Sequence, residues 1–172
     1  MKLARVIAAA ALFTGGIAVG YASQKVDTSL YHGKSKVDAA KALLEVARVQ
    51  AGDGSWERIG IGRVYYLGGM KSEGQAIFDG VLAGKHKSSD LFRIAKVYRE
   101  AGEWPKAKAL FDSYVRDNPD DSQEVAQIGA YTLINGDRAG AERLFDQSFN
   151  SSVDMWGTIA AAGAYLGVVP QE

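Results

Sequence analysis

The stretch SSDLFRIAKVYREAGEWPKAKALFDSYVRDNPDD, running from Ser88 to Asp121, decides the fold. Ile94, Ala95, Val97, Tyr98 and Ala101 recur at three-to-four spacing, which places them on one stripe of a helix. Ala107, Leu110, Phe111, Tyr114 and Val115 mark a second stripe. Gly102 separates the two, where a turn is needed. Pro105 falls in the first turn of the second helix, where its missing N–H is no loss. Ala95 is small in the middle of an apolar stripe, which lets two helices approach closely.

Moving outward, the same order of residues returns with a period of about 34 residues. Leu91, Ile94, Ala95 and Tyr98 fall on Val125, Ile128, Gly129 and Thr132 of the next stretch. Gly102 falls on Gly136, and Ala107 and Phe111 fall on Ala141 and Phe145. Upstream, with one residue fewer, Ile61, Gly62 and Tyr65 take the first-helix places, Gly69 the turn, and Gly74 and Phe78 the second-helix places. A half unit precedes, with Ala40 and Leu44 in the places of Ala107 and Phe111. Another follows, with Ile159, Ala162, Gly163 and Leu166 matching Leu91, Ile94, Ala95 and Tyr98. Capping boxes are expected at Ser35–Asp38, Ser72–Gln75 and Asp121–Glu124.

This order of residues resembles the tetratricopeptide repeat: Leu91, Ile94-Ala95, Tyr98, Ala107-x-x-x-Phe111 and Pro119 stand where that family carries its signature. Leu91 stands where tryptophan is frequent, Thr132 replaces the tyrosine, and the neighbouring units lack the closing proline. The resemblance runs from Ser35 to Val169. It implies an all-α right-handed solenoid of about three helix pairs. The units are placed at about 35–54, 55–87, 88–121 and 122–154, with a capping helix over 155–169. Neither half of a unit can bury its stripe alone, so the units must stack. Fold alone names no ligand.

Residues 1–22 read differently. Lys2 and Arg5 precede an uncharged apolar run from Val6 to Ala22, the layout of an export signal with cleavage after Ala22. Gly15-Gly16 weakens a long helix and favours that reading. The alternative is a retained anchor: the run is close to the ~17-residue lower limit for a membrane span, and Gly16 and Gly20 form a small-xxx-small pair. Residues 23–34 are a linker. Both readings place the body beyond a membrane, with a bacterial periplasm as the first expectation and an inner-membrane anchor facing the periplasm as the second. The triplet Asn150-Ser151-Ser152 keeps a eukaryotic secretory route open.

Charge and motif content narrow the function. Twenty basic residues balance twenty acidic ones, unlike a nucleic-acid binder. Cysteine is absent, which excludes disulfides, thiolate metal sites and cysteine nucleophiles. His86 falls in a polar loop and His32 in the poorly patterned start, with no metal-ligand spacing and no nucleophile–base pairing. Gly60-x-Gly62 lies in a helix pattern and not after a strand, and Asp117–Asp121 reads as a unit junction and helix cap. The expectation is a non-enzymatic scaffold with no cofactor and no metal, whose partners are other proteins, presented as a peptide or a helix.

In the family the first helices line the concave face. By register, this gives Trp56, Ile59, Arg63 and Tyr66, then Phe92, Lys96 and Arg99, then Gln123, Ala126 and Ala130. Aromatic area beside fixed positive charge suits an extended peptide with an acidic group. The competing account is that Trp56 and Phe92 pack between helices while the charges are solvated. The family's carboxylate clamp is not carried over, because Phe92 and Lys96 occupy two of its places. The second candidate surface is the uncharged helix from Met155 to Val169: Trp156, Gly157, Ala160, Gly163, Ala164 and Gly167. A partner helix, a second copy in a homo-oligomer, a membrane complex or a membrane surface could cover it. Alternatively its apolar side folds onto the preceding unit, which would account for Ile159 and Leu166.

Overall fold

The structure is a computed structural model and describes residues 25–171. The N-terminal signal or anchor expected over 1–22 lies outside the described residues. Among the described residues the chain is all α, with eight helices and no strand, and no helix is long and apolar enough to cross a membrane. The chain divides into two compact units at Gly52. In the first, a 3-10 turn at Thr28–Leu30 precedes α1 (Lys36–Ala51). Ser35 caps α1 as expected: its hydroxyl accepts the Asp38 N–H at 3.1 Å and donates to the Asp38 carboxylate at 2.7 Å.

The second unit holds α2 (Ser55–Leu67), α3 (Lys71–Ala83), α4 (Ser88–Glu100), α5 (Trp104–Asp117), α6 (Ser122–Ile134), α7 (Arg138–Ser151) and α8 (Met155–Tyr165). The pairs α2/α3, α4/α5 and α6/α7 follow one another, and α8 packs on α6. The three turns inside the pairs are the same object. Gly69, Gly102 and Gly136 take φ of 88°, 74° and 93°, which a side chain would oppose. The residue after each glycine donates its N–H back into the first helix: Met70 to Tyr65 O at 2.9 Å, Glu103 to Tyr98 O at 2.8 Å, Asp137 to Thr132 O at 3.1 Å.

The first and third pairs close on a glycine facing a phenylalanine. A methyl group placed on Gly62 would lie 2.6 Å from Phe78 Cε1, and one on Gly129 would lie 2.7 Å from Phe145 Cε1. Ala95 and Phe111 hold the matching places in the middle pair, and both are fully buried. Rings then tie one pair to the next. Phe78 meets Tyr98 edge-on at 5.8 Å, and Phe111 stacks on Tyr131 at 5.6 Å. A polar bridge follows the same route, with Ser55 donating to buried Asp90 at 3.0 Å, and another closes the third pair, with Ser148 donating to Ser122 O at 2.6 Å.

Two local expectations are corrected. Ser72 and Gln75 form no capping box: α3 starts at Lys71 behind the Gly69 turn, so Ser72 is already inside it. The Gln75 amide instead donates to Tyr98 Oη at 2.7 Å. The last helix stops at Tyr165, short of Val169, because Gly167 turns the chain at φ 74°. Asp121 does cap α6 by accepting the Glu124 N–H, and Asp137 and Asp154 do the same for α7 and α8.

The glycine contacts predict opposite effects for one substitution. Gly60→Ala meets nothing within 4 Å inside α2 and gains about 0.5–1 kcal/mol from helix propensity. Gly129→Ala gains the same propensity but meets the Phe145 ring, and it loses about 1–3 kcal/mol net through overpacking. Urea denaturation of the two variants measures both signs.

A candidate protein-binding groove across the first helices

The first helices of the pairs, α2, α4 and α6, share a face because each is followed by a second helix on the other side. That face holds two adjoining hollows. One, of about 440 Å³, is lined by Trp56, Ile59, Arg63, Phe92, Arg93 and Lys96, with Glu100, Gln123, Glu124 and Gln127 among its other walls. The other, of about 510 Å³, lies between α6 and α8 and is lined by Trp156, Ile159, Ala160 and Gly163 together with the chain after α8. Gln123, Gln127 and Gln171 line both, so the two form one groove.

Six of the residues expected from register meet in this groove: Trp56, Ile59, Arg63, Phe92, Lys96 and Gln123. Trp56 is 65% exposed, and the guanidinium of Arg93 lies over its ring at 4.0 Å. Phe92 does pack between helices, with its ring 5.6 Å from Phe111 and 5.2 Å from Tyr114, leaving only an edge to the groove. Arg63 is bound across the pairs to Glu100, with Nε donating to Oε2 at 2.8 Å. Lys96 sits over the Phe92 ring at 5.7 Å.

Four others are not on its walls. Tyr66 is buried, and its hydroxyl donates to Glu103 at 2.7 Å. Glu103 also binds Lys71 at 2.6 Å and Lys106 at 2.7 Å. The bonds from Lys106, Lys71 and Tyr66 together hold its carboxyl down at about 2. Arg99 lies over the Tyr131 ring at 4.5 Å, at the turn end of α4. Ala126 and Ala130 are fully buried. They lie under α8, where a methyl on Gly157 would come 2.9 Å from the Ala126 Cβ.

That contact also explains the small residues of the C-terminal helix. Gly157, Ala161 and Ala164 are the buried side of α8, and Ala161 and Ala164 pack with Ala130 of α6. Gly157 and Ala164 are thereby covered within the chain. Ala160 and Gly163 lie at the edge of the groove beside exposed Trp156. Gly167 serves the turn. The apolar bulk does not fold inward: Ile159 is 51% exposed and Leu166 is 82% exposed. Among the described residues no second helix follows α8 to cover them.

Register reasoning missed Arg93, Glu100, Glu124 and Gln127. A signal for one of these was present: Gly60, Arg93 and Gln127 share one register position, and all three line the groove. Glu124 brings the groove's unusual titration. Burial, a hydrogen bond to Asp121 and the charges of Asp121 and Asp154 push its carboxyl up to about 7. Burial opposes ionisation of Asp121 too, but hydrogen bonds from Glu124 and Tyr114 keep it below its ordinary value. Of the two carboxyls Glu124 is thus the one that favours its protonated form, while Tyr114 Oη donates to Asp121 Oδ2 at 2.6 Å.

A raised acid is stabilising when protonated, so its contribution is complete below about 4.5 and is lost as pH rises through about 7. Glu124→Gln keeps a donor toward Asp121 without the charge. Thermal unfolding should show wild type losing stability between pH 5 and pH 8, with the variant flatter and more stable at pH 8 by about 1 kcal/mol, the linkage being reduced by solvent screening.

Comparison with known proteins bears on the central pair. The tetratricopeptide repeat family model matches residues 91–121, covering α4 from its first turn, α5 and the junction to α6. No curated protein and no solved structure matches the chain. The match supports a tetratricopeptide-type repeat here and, in general terms, a scaffold for protein–protein interaction.

Proposed function

We propose that the chain is a non-enzymatic scaffold that holds an extended segment of another protein in the groove across α2, α4 and α6. One observation carries this reading: among the described residues Arg93 and Lys96 have no carboxylate partner, and both lie on aromatic rings in a concave wall. An aromatic floor offers area at little entropic cost, and an open guanidinium offers bidentate bonds to a carboxylate. The groove is thus suited to a peptide that sets an acidic residue beside an apolar one. Arg63, satisfied by Glu100, contributes to the wall and not to charge recognition.

Selection of random peptides on the immobilised chain tests it. The wild type should enrich peptides with an acidic residue next to an aromatic or aliphatic one. The double variant Arg93→Glu/Lys96→Glu should bind those peptides at least about tenfold more weakly, since each charge-assisted bond contributes ~1.5 kcal/mol or more. Enrichment of the same peptides by both proteins, or of none by either, refutes the reading.

The same proposal places the scaffold in the cell envelope, on the strength of Lys2, Arg5 and the uncharged run from Val6 to Ala22. The second reading keeps that run as an anchor, making the chain an accessory subunit of a membrane complex. Mass spectrometry of the mature protein is expected to find Ser23 as its first residue. An intact N-terminus in the membrane fraction would select the anchored form, and one in the cytosol would reject both.

A further inference from the structure

The chain after α8 does not leave the molecule. Gly167 takes φ 74°, and the Val168 N–H returns to Gly163 O at 2.9 Å while the Gly167 N–H returns to Ala164 O at 3.0 Å. This paired closure of a helix end reverses the chain. Val168 is folded over Gly163 so closely that a methyl there would lie 3.4 Å from Val168 O and 3.7 Å from its Cβ. From that point Val168, Val169, Pro170 and Gln171 run along the α6–α8 hollow as one of its walls. Gln171 reaches on into the hollow that holds Trp56, Arg93 and Lys96.

The segment so placed has the character of what the groove is suited to hold. It is non-helical over Val168–Gln171, carries two β-branched apolar residues, is stiffened by Pro170, and is followed in sequence by Glu172. It is also laid on the groove and not locked into it, with Val168 58% and Val169 44% exposed.

We propose that residues 168–171 are a built-in occupant of the groove, a strap that fills the α6–α8 half in cis and is displaced by a partner segment of the same chemistry. The proposal rests on the groove reading above and adds to it the class of partner: an extended stretch with adjacent β-branched residues ahead of an acidic one. A strap joined to the groove by one turn acts at an effective concentration on the order of mM. It therefore weakens binding of an incoming segment without abolishing it.

The test compares the full chain with a chain ending at Gly167, both checked for helical content and cooperative unfolding. Two labelled probes are titrated by fluorescence polarisation: the synthetic peptide Leu166–Glu172, and an acidic peptide selected on the wild-type groove. The shortened chain should bind each probe about tenfold or more tightly than the full chain. Because the chain has no cysteine, Gln127→Cys/Gln171→Cys joined by a bifunctional maleimide gives a locked strap in a chain of full length. The coupled protein should bind the selected peptide at least about tenfold more weakly than the same variant left uncoupled, so that any effect of the substitutions themselves is common to both. Equal affinities of full and shortened chains for the selected peptide, or unchanged binding by the locked form, overturn the strap while leaving the groove reading standing. Failure of every chain to bind either peptide overturns both.

Discussion

The contact on which the second unit depends is a phenylalanine ring pressed against a residue with little or no side chain. It occurs as Gly62 with Phe78 and Gly129 with Phe145, and buried Ala95 and Phe111 of one core cluster hold the matching places in the middle pair. The ring needs the missing volume opposite it, and the helix that supplies it gives up propensity to do so. With the two helices of a pair held this closely, their remaining apolar sides face outward together. They can be buried only by the next pair, through Phe78 on Tyr98 and Phe111 on Tyr131.

The groove follows from that arrangement. Once the second helices are committed to one side, α2, α4 and α6 must turn a common face to the other. The stack uses only part of each first helix for packing, so Trp56, Arg93, Lys96, Gln123 and Gln127 are left on that face. Their chemistry is set separately from the fold. Glu100 neutralises Arg63, burial beside Asp121 favours the protonated form of Glu124, and among the described residues Arg93 and Lys96 have no carboxylate partner. Among the described residues α8 packs on α6 with no second helix after it. Its small residues seal α6, and its bulky ones, together with the turned-back chain, stay on the surface.

Much of the fold was legible because its determinants are local and repeated. Small residues, turn glycines and phenylalanines recur at fixed spacing, and each has one packing solution. The groove was legible in part. Trp56, Ile59, Arg63, Phe92, Lys96 and Gln123, which register pointed to, line the hollow. Tyr66 and Arg99, in the last turn, do not, because their partners Glu103 and Tyr131 come from other units that the spacing does not reveal. Ala126 and Ala130 were misread for a similar reason: by register they line the groove, but α8 covers them. The small residues of α8 look like an interaction stripe in sequence, yet they serve the chain's own packing. The Ser72 capping box failed because the Gly69 turn, and not the cap pattern, sets where α3 begins.

The most direct measurement is the proton NMR spectrum of Gly62 and Gly129 in the native protein. With Phe78 and Phe145 rings seated against them, their α-protons should be displaced by ring currents and should show strong NOEs to the aromatic protons of those two residues. Glycine α-protons at unperturbed shifts, with no such NOEs, would mean that the helix pairs are not closed by this contact and would contradict the architecture built on it.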